Sequence, residues 1–89
     1  MKHVKIYTLD YCPYCKKAKQ MLCKLSIPFE EIDVTQEEEK YSKELAKLYS
    51  LSNVTYPQII IGGTRIGGSD ALEEYVNSGR LNQILKEDL

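Results

Sequence analysis

Eighty-nine residues are enough for one domain with a single core, and the chain is expected to form one domain over residues 1–89. With 43% hydrophobic residues, 28% charged residues and a net charge of −1, it offers no electrostatic case for nucleic acid or an anionic membrane. Its longest run of large apolar residues, Ile59-Ile60-Ile61, is far short of a membrane span, and Met1–Asp10 lacks the apolar stretch of an export signal, so a cytoplasmic, reducing setting is expected.

Val4, Ile6 and Thr8 alternate with Lys5 and Tyr7, which predicts a strand over 3–8. Cys12-Pro13-Tyr14-Cys15 comes next, and Pro13 suits the first turn of a helix over 13–25. On that helix Cys15, Ala18, Leu22 and Leu25 share one face. Cys15 is therefore expected to point inward, and Cys12, at or before the first turn, to be the more accessible. The helix stops near Ser26, ahead of Pro28. Alternation over 29–33 predicts a second strand. Thr35 followed by Glu38 is a capping-box pattern for a second helix reaching to about Ser50. Glu37-Glu38-Glu39 reads as its solvated first turn, and Tyr41, Leu45, Leu48 and Tyr49 as its apolar stripe. Ser52–Pro57 reads as a loop. Gln58–Ile61 and Thr64–Ile66 read as an antiparallel hairpin around Gly62-Gly63. Gly67-Gly68-Ser69-Asp70 is the next turn, with Ser69 as candidate N-cap of a helix that carries Leu72, Tyr75 and Val76 and ends near Gly79. Leu81, Ile84 and Leu85 predict a short last helix. The order β-α-β-α-β-β-α-α predicts an α/β layer structure: a four-stranded mixed sheet flanked by helices, with the first two strands parallel.

The chemistry concentrates in Cys12 and Cys15. Thiols at a helix N-terminus meet backbone N–H groups and the positive end of the dipole, which favours a thiolate at the first. A thiolate attacks disulfides, and a second thiol three residues on resolves the mixed disulfide. The rival readings are a structural pair or half of a zinc site. Zinc takes about four ligands, and the remaining candidates are Cys23 and His3. Cys23 lies eight positions past Cys15, roughly 12 Å along the helix axis, too far to share a metal or a disulfide. A redox pair is favoured and no metal is expected. Cys23 flanks the buried face and reads as a small apolar filler, or else as an oxidation or glutathionylation site. His3 reads as a surface residue. Tyr41, Tyr49 and Tyr75 read as core, Tyr14 and Tyr56 as groove residues, and Tyr11 as either.

On these residues the chain resembles a dithiol glutaredoxin of the thioredoxin-like superfamily. Four landmarks carry the resemblance over roughly residues 3–86: Cys12-Pro13-Tyr14-Cys15 after the first strand, Thr55-Tyr56-Pro57 before the hairpin, Gly67-Gly68-Ser69-Asp70 after it, and the order of elements. The resemblance implies a thioredoxin-like fold and a glutathione-dependent thiol–disulfide oxidoreductase. Cys12 would be the nucleophile and Cys15 the resolving thiol, the two forming a redox-active disulfide. Pro57 would follow a cis bond. Tyr14, Thr55, Tyr56, Pro57, Gly68, Ser69 and Asp70 would bind glutathione. The Tyr56 backbone would pair with its cysteinyl part, N–H groups opening the third helix would meet its γ-glutamyl carboxylate, and Asp70 its ammonium. Glutathione is then the co-substrate. The protein partners are disulfide-containing or glutathionylated proteins, with ribonucleotide reductase among the candidates, and the protein is expected to be a monomer.

Two departures stand out. Many members carry Lys where this chain has Leu9, with Lys16 and Lys47 as candidate replacements, and a second acid where it has Ala71, which leaves Asp70 alone. Two rival functions are weighed. Electron donors served by thioredoxin reductase carry a W-S-G-F-type segment near the second glycine turn, and this chain has no Trp. Iron–sulfur carriers that use the first Cys with glutathione usually have C-G-F-S or lack the proline that stands here as Pro13.

Overall fold

The N-terminal alternation produces β1 (Val4–Thr8), in which Val4, Ile6 and Thr8 are all buried. The structure, a computed structural model, describes residues 2–86. β2 (Glu30–Asp33) runs parallel to β1, as a helical crossover through α1 (Pro13–Lys24) permits. β3 (Gln58–Ile61) is antiparallel to β1, and β4 (Thr64–Gly67) antiparallel to β3, giving the sheet order β2-β1-β3-β4. Between β3 and β4, Gly62 and Gly63 have φ of 56° and 83°. A two-residue hairpin of this hand needs positive φ at both positions, which glycine adopts without a Cβ penalty.

The main core lies on one face of the sheet. Val4, Ile6, Ile59, Ile61 and Ile66 meet Ala18 and Leu22 of α1, Leu72 of α3 (Ser69–Ser78), and Leu81 and Leu85 of α4 (Arg80–Leu85). Each fully buried Ile or Leu contributes roughly 1.5–3 kcal/mol. The other face takes α2 (Glu38–Tyr49), where the Tyr41 ring sits 6.1 Å from that of Tyr7. The predicted α/β order with a four-stranded mixed sheet is the observed one.

Several local expectations are corrected. Leu25 does not join the buried face: it is the C-cap of α1, past the point where helical phase applies, and is 46% exposed. Leu48 is 70% exposed, because α2 buries only Leu45 and its contact strip is narrower than the pattern implied. Tyr41 and Tyr49 are half-buried rather than core, whereas Tyr75, also half-buried, packs against the main core. Thr35 forms no capping box. It opens a 3-10 turn (Thr35–Glu37), and its hydroxyl instead accepts from the Asp10 N–H at 2.9 Å and donates to Asp33. The N-cap of α3 is Gly68, not Ser69, and no side chain bonds there. Cys23 is exposed, which removes the filler reading; one residue step from buried Leu22 is enough to turn it out to solvent.

Candidate active site

Cys12 is the N-cap of α1, with extended φ and ψ of −101° and 109°. Its Sγ therefore folds back over the first turn and accepts from the Cys15 N–H at 3.2 Å. Pro13 at the first helical position has no N–H to leave unsatisfied. Cys12 retains 9% exposure against 1% for Cys15, so both are buried and the first is the more open. The Cys15 thiol is pushed up to about 12, first by burial and then by its hydrogen bond with Cys12. At neutral pH Cys15 thus keeps its proton.

The Cys12 thiol also donates to the Tyr56 carbonyl at 3.5 Å, and the Tyr56–Pro57 bond is cis. Tyr56 opens onto a groove of about 600 Å³. The structure brings Tyr14, Thr55, Tyr56, Pro57, Gly68, Ser69 and Asp70 together around it. Tyr14 is 60% exposed at its rim. The Tyr56 ring is tied down from outside, its hydroxyl bonded to Ser42 of α2 at 2.9 Å. Gly67, with φ of 122°, also lines the groove, and a Cβ there would come 3.1 Å from that of Ala71. Tyr11 stays outside the groove, exposed, with its hydroxyl donating to Glu38 at 3.0 Å. His3 is likewise exposed, 2.8 Å from Glu30.

Two groove features escaped the sequence reading. Gln58 is 2% exposed; its Nε2 donates to the Thr55 carbonyl at 2.7 Å and its Oε1 accepts from Arg65 Nε at 2.9 Å. Arg65 itself lines the groove, whereas the candidate cations Lys16 and Lys47 do not. The available signal was hairpin register. Arg65 pairs with Ile60, so it shares a face with Gln58 two residues away. Among the described residues, no cluster of three or more His, Cys, Asp or Glu side chains offers a metal centre, and no helix is long and apolar enough to cross a membrane.

A dithiol at a helix N-terminus, beside a groove edged by backbone and opposite charges, suits thiol–disulfide exchange. Known proteins agree with this reading. A family model described as Glutaredoxin matches residues 4–66. Glutaredoxin 1 of Rickettsia felis is 45% identical over 91% of this chain and 78% of its own length. The glutaredoxin of Pseudomonas aeruginosa is 40% identical over 96% of this chain and 98% of its own. Among solved structures, a buckwheat glutaredoxin–glutathione complex superposes with a TM-score of 0.85 at 27% identity, over 97% of this chain and 78% of that one. The glutaredoxin of Brucella melitensis does so with 0.79 at 36% identity, over 97% and 90%. The chain belongs to the glutaredoxin family of thiol–disulfide oxidoreductases, and its Cys12–Cys15 spacing fits a C-x-x-C dithiol motif.

Proposed function

We propose that the protein reduces protein disulfides and glutathione mixed disulfides with glutathione as electron donor, through Cys12 and Cys15. The observation that carries this reading is the 3.5 Å contact between Cys12 Sγ and the carbonyl of Tyr56, a residue that lines the groove. A disulfide held by that groove presents a sulfur to the attacking thiol. The buckwheat relative, whose structure contains glutathione, supports the choice of co-substrate.

The electrons balance as follows. Cys12 Sγ attacks one substrate sulfur, and the other leaves as a thiol after taking a proton. The Cys12 mixed disulfide is then attacked by Cys15, which gives up its proton, and the second substrate thiol departs as an intramolecular disulfide closes. Two glutathione molecules reopen that disulfide and leave as oxidised glutathione. For a glutathione mixed disulfide, Cys12 alone suffices, with a second glutathione as the resolving thiol. While Cys12 attacks, Cys15 keeps its proton and does not compete.

The test is turnover of a small glutathione mixed disulfide, with the glutathione and thioredoxin reductase systems compared as electron source. Cys15→Ser is expected to keep this activity and to lose reduction of protein disulfides. Loss of both activities in Cys15→Ser overturns the division of roles, and turnover driven by thioredoxin reductase alone overturns glutathione dependence.

A further inference from the structure

We propose that Arg65, held in place by Gln58, binds the α-carboxylate of the glutathione γ-glutamyl end, working opposite Asp70 on the ammonium. This rests on the glutathione reading above and adds a cation the sequence did not reveal. Arg65 and Asp70 are both exposed and line the same groove, yet they make no ion pair with each other. Among the described residues Arg65 bonds only Gln58, and it does so through Nε. Its two Nη groups, the fork suited to a carboxylate, are left for a ligand.

The guanidinium is not a loose surface charge. Gln58 is almost fully buried and spends both ends of its amide, one on Arg65 and one on the Thr55 carbonyl. Arg65 is thereby tied to the segment that leads to Tyr56 and Cys12. Its Nη2 lies 4.0 Å from where a side chain on Gly67 would begin, so the fork sits beside the 67–70 turn. N–H groups at the start of α3 favour negative charge at that same end of the groove. An α-amino-acid head carries a carboxylate and an ammonium on one carbon. Opposite charges held apart in one groove match that head, and a neutral or singly charged ligand would leave one of them unmet. Gln58 is a positioning residue; Arg65 touches the ligand.

The experiment compares two mixed disulfides with 2-hydroxyethanethiol in single turnover by the reduced protein. One carries glutathione, the other 4-aminobutanoyl-Cys-Gly, which lacks only the α-carboxylate. Arg65→Gln is expected to raise the half-saturation concentration for the glutathione substrate by roughly 5–30-fold, with the limiting rate within about twofold. On the analogue, Arg65→Gln and the unaltered protein should coincide, and Arg65→Lys should recover part of the loss on glutathione. An equal loss on both substrates, or no change on either, overturns the role of Arg65 alone. Failure of the unaltered protein to react with the glutathione substrate overturns the glutathione reading, and the Arg65 role with it.

Discussion

The backbone N–H of Cys15 bonds Cys12 Sγ at 3.2 Å, while the thiol of the same residue is buried against that sulfur and keeps its proton. One residue thus serves the first sulfur through its backbone and waits with its side chain. The two services separate in Cys15→Ala, which keeps the amide and the helix terminus and removes only a weak S–H donor. The rate of Cys12 alkylation by iodoacetamide at neutral pH should stay within about threefold of the unaltered protein. A drop beyond tenfold would assign the activation of Cys12 to the Cys15 thiol instead.

The raised Cys15 value sets the sign of an alkaline effect. The folded state holds this proton more tightly than the unfolded chain, where the ordinary value is 9.0. Stability from the group is therefore full below pH 9.0 and is lost as pH rises toward about 12. Tyr7 and Tyr56, each raised first by burial, act in the same direction above 10.0. Under reducing conditions, urea midpoints should fall more steeply between about pH 8 and pH 11 for the unaltered protein than for Cys15→Ala. Parallel profiles would mean that the tyrosines alone carry the alkaline loss.

Tyr56 divides its roles between backbone and ring. Its carbonyl faces Cys12, and its hydroxyl bonds Ser42 on α2. Tyr56→Phe should cost about 0.5–1.5 kcal/mol of stability in urea unfolding, the net worth of one part-buried hydrogen bond. Turnover of a glutathione mixed disulfide should change by less than about twofold, because the variant leaves the carbonyl in place. Loss of turnover without loss of stability would move the hydroxyl from scaffold to site.

The parts of this molecule legible in the sequence are those set by near neighbours along the chain. Two-residue alternation marked β1, paired glycines marked the hairpin, and Cys12-Pro13-Tyr14-Cys15 marked a helix N-terminus. The misreadings arise where a distant partner decides. Thr35 has the right spacing to cap a helix, but Asp10 and Asp33 claim its hydroxyl from outside the helix. Leu48 has the right phase to be buried, but α2 fully buries only Leu45 and leaves Leu48 in solvent. The register of the Gly62-Gly63 hairpin puts Arg65 on the face of Gln58, but its place in the groove depends on the Gln58 side chain and on a bulge between Ile59 and Ile60, which periodicity does not show. The seven predicted residues that do line the groove, from Tyr14 to Asp70, follow from family motifs rather than periodicity.

Glu31 of β2 joins two other elements. Its carboxylate accepts from the Lys19 ammonium of α1 at 2.9 Å and from the buried Thr8 hydroxyl at the end of β1 at 2.7 Å. The Lys19 bond first and the Thr8 bond second hold this carboxyl below its ordinary 4.5. A lowered carboxylate contributes stability that is present above the ordinary value and is lost as pH falls through the folded one. Lys19 and Glu31 are about one-third exposed, with side-chain exposures of 31% and 36%, so the ionic part is worth at most about 1 kcal/mol. Glu31→Gln should therefore lower the urea midpoint at neutral pH, and the gap to the unaltered protein should shrink at an acid pH well below 4.5. A gap of the same size at both pH values would show that the junction depends on neutral hydrogen bonding from Thr8 rather than on the charge of Lys19.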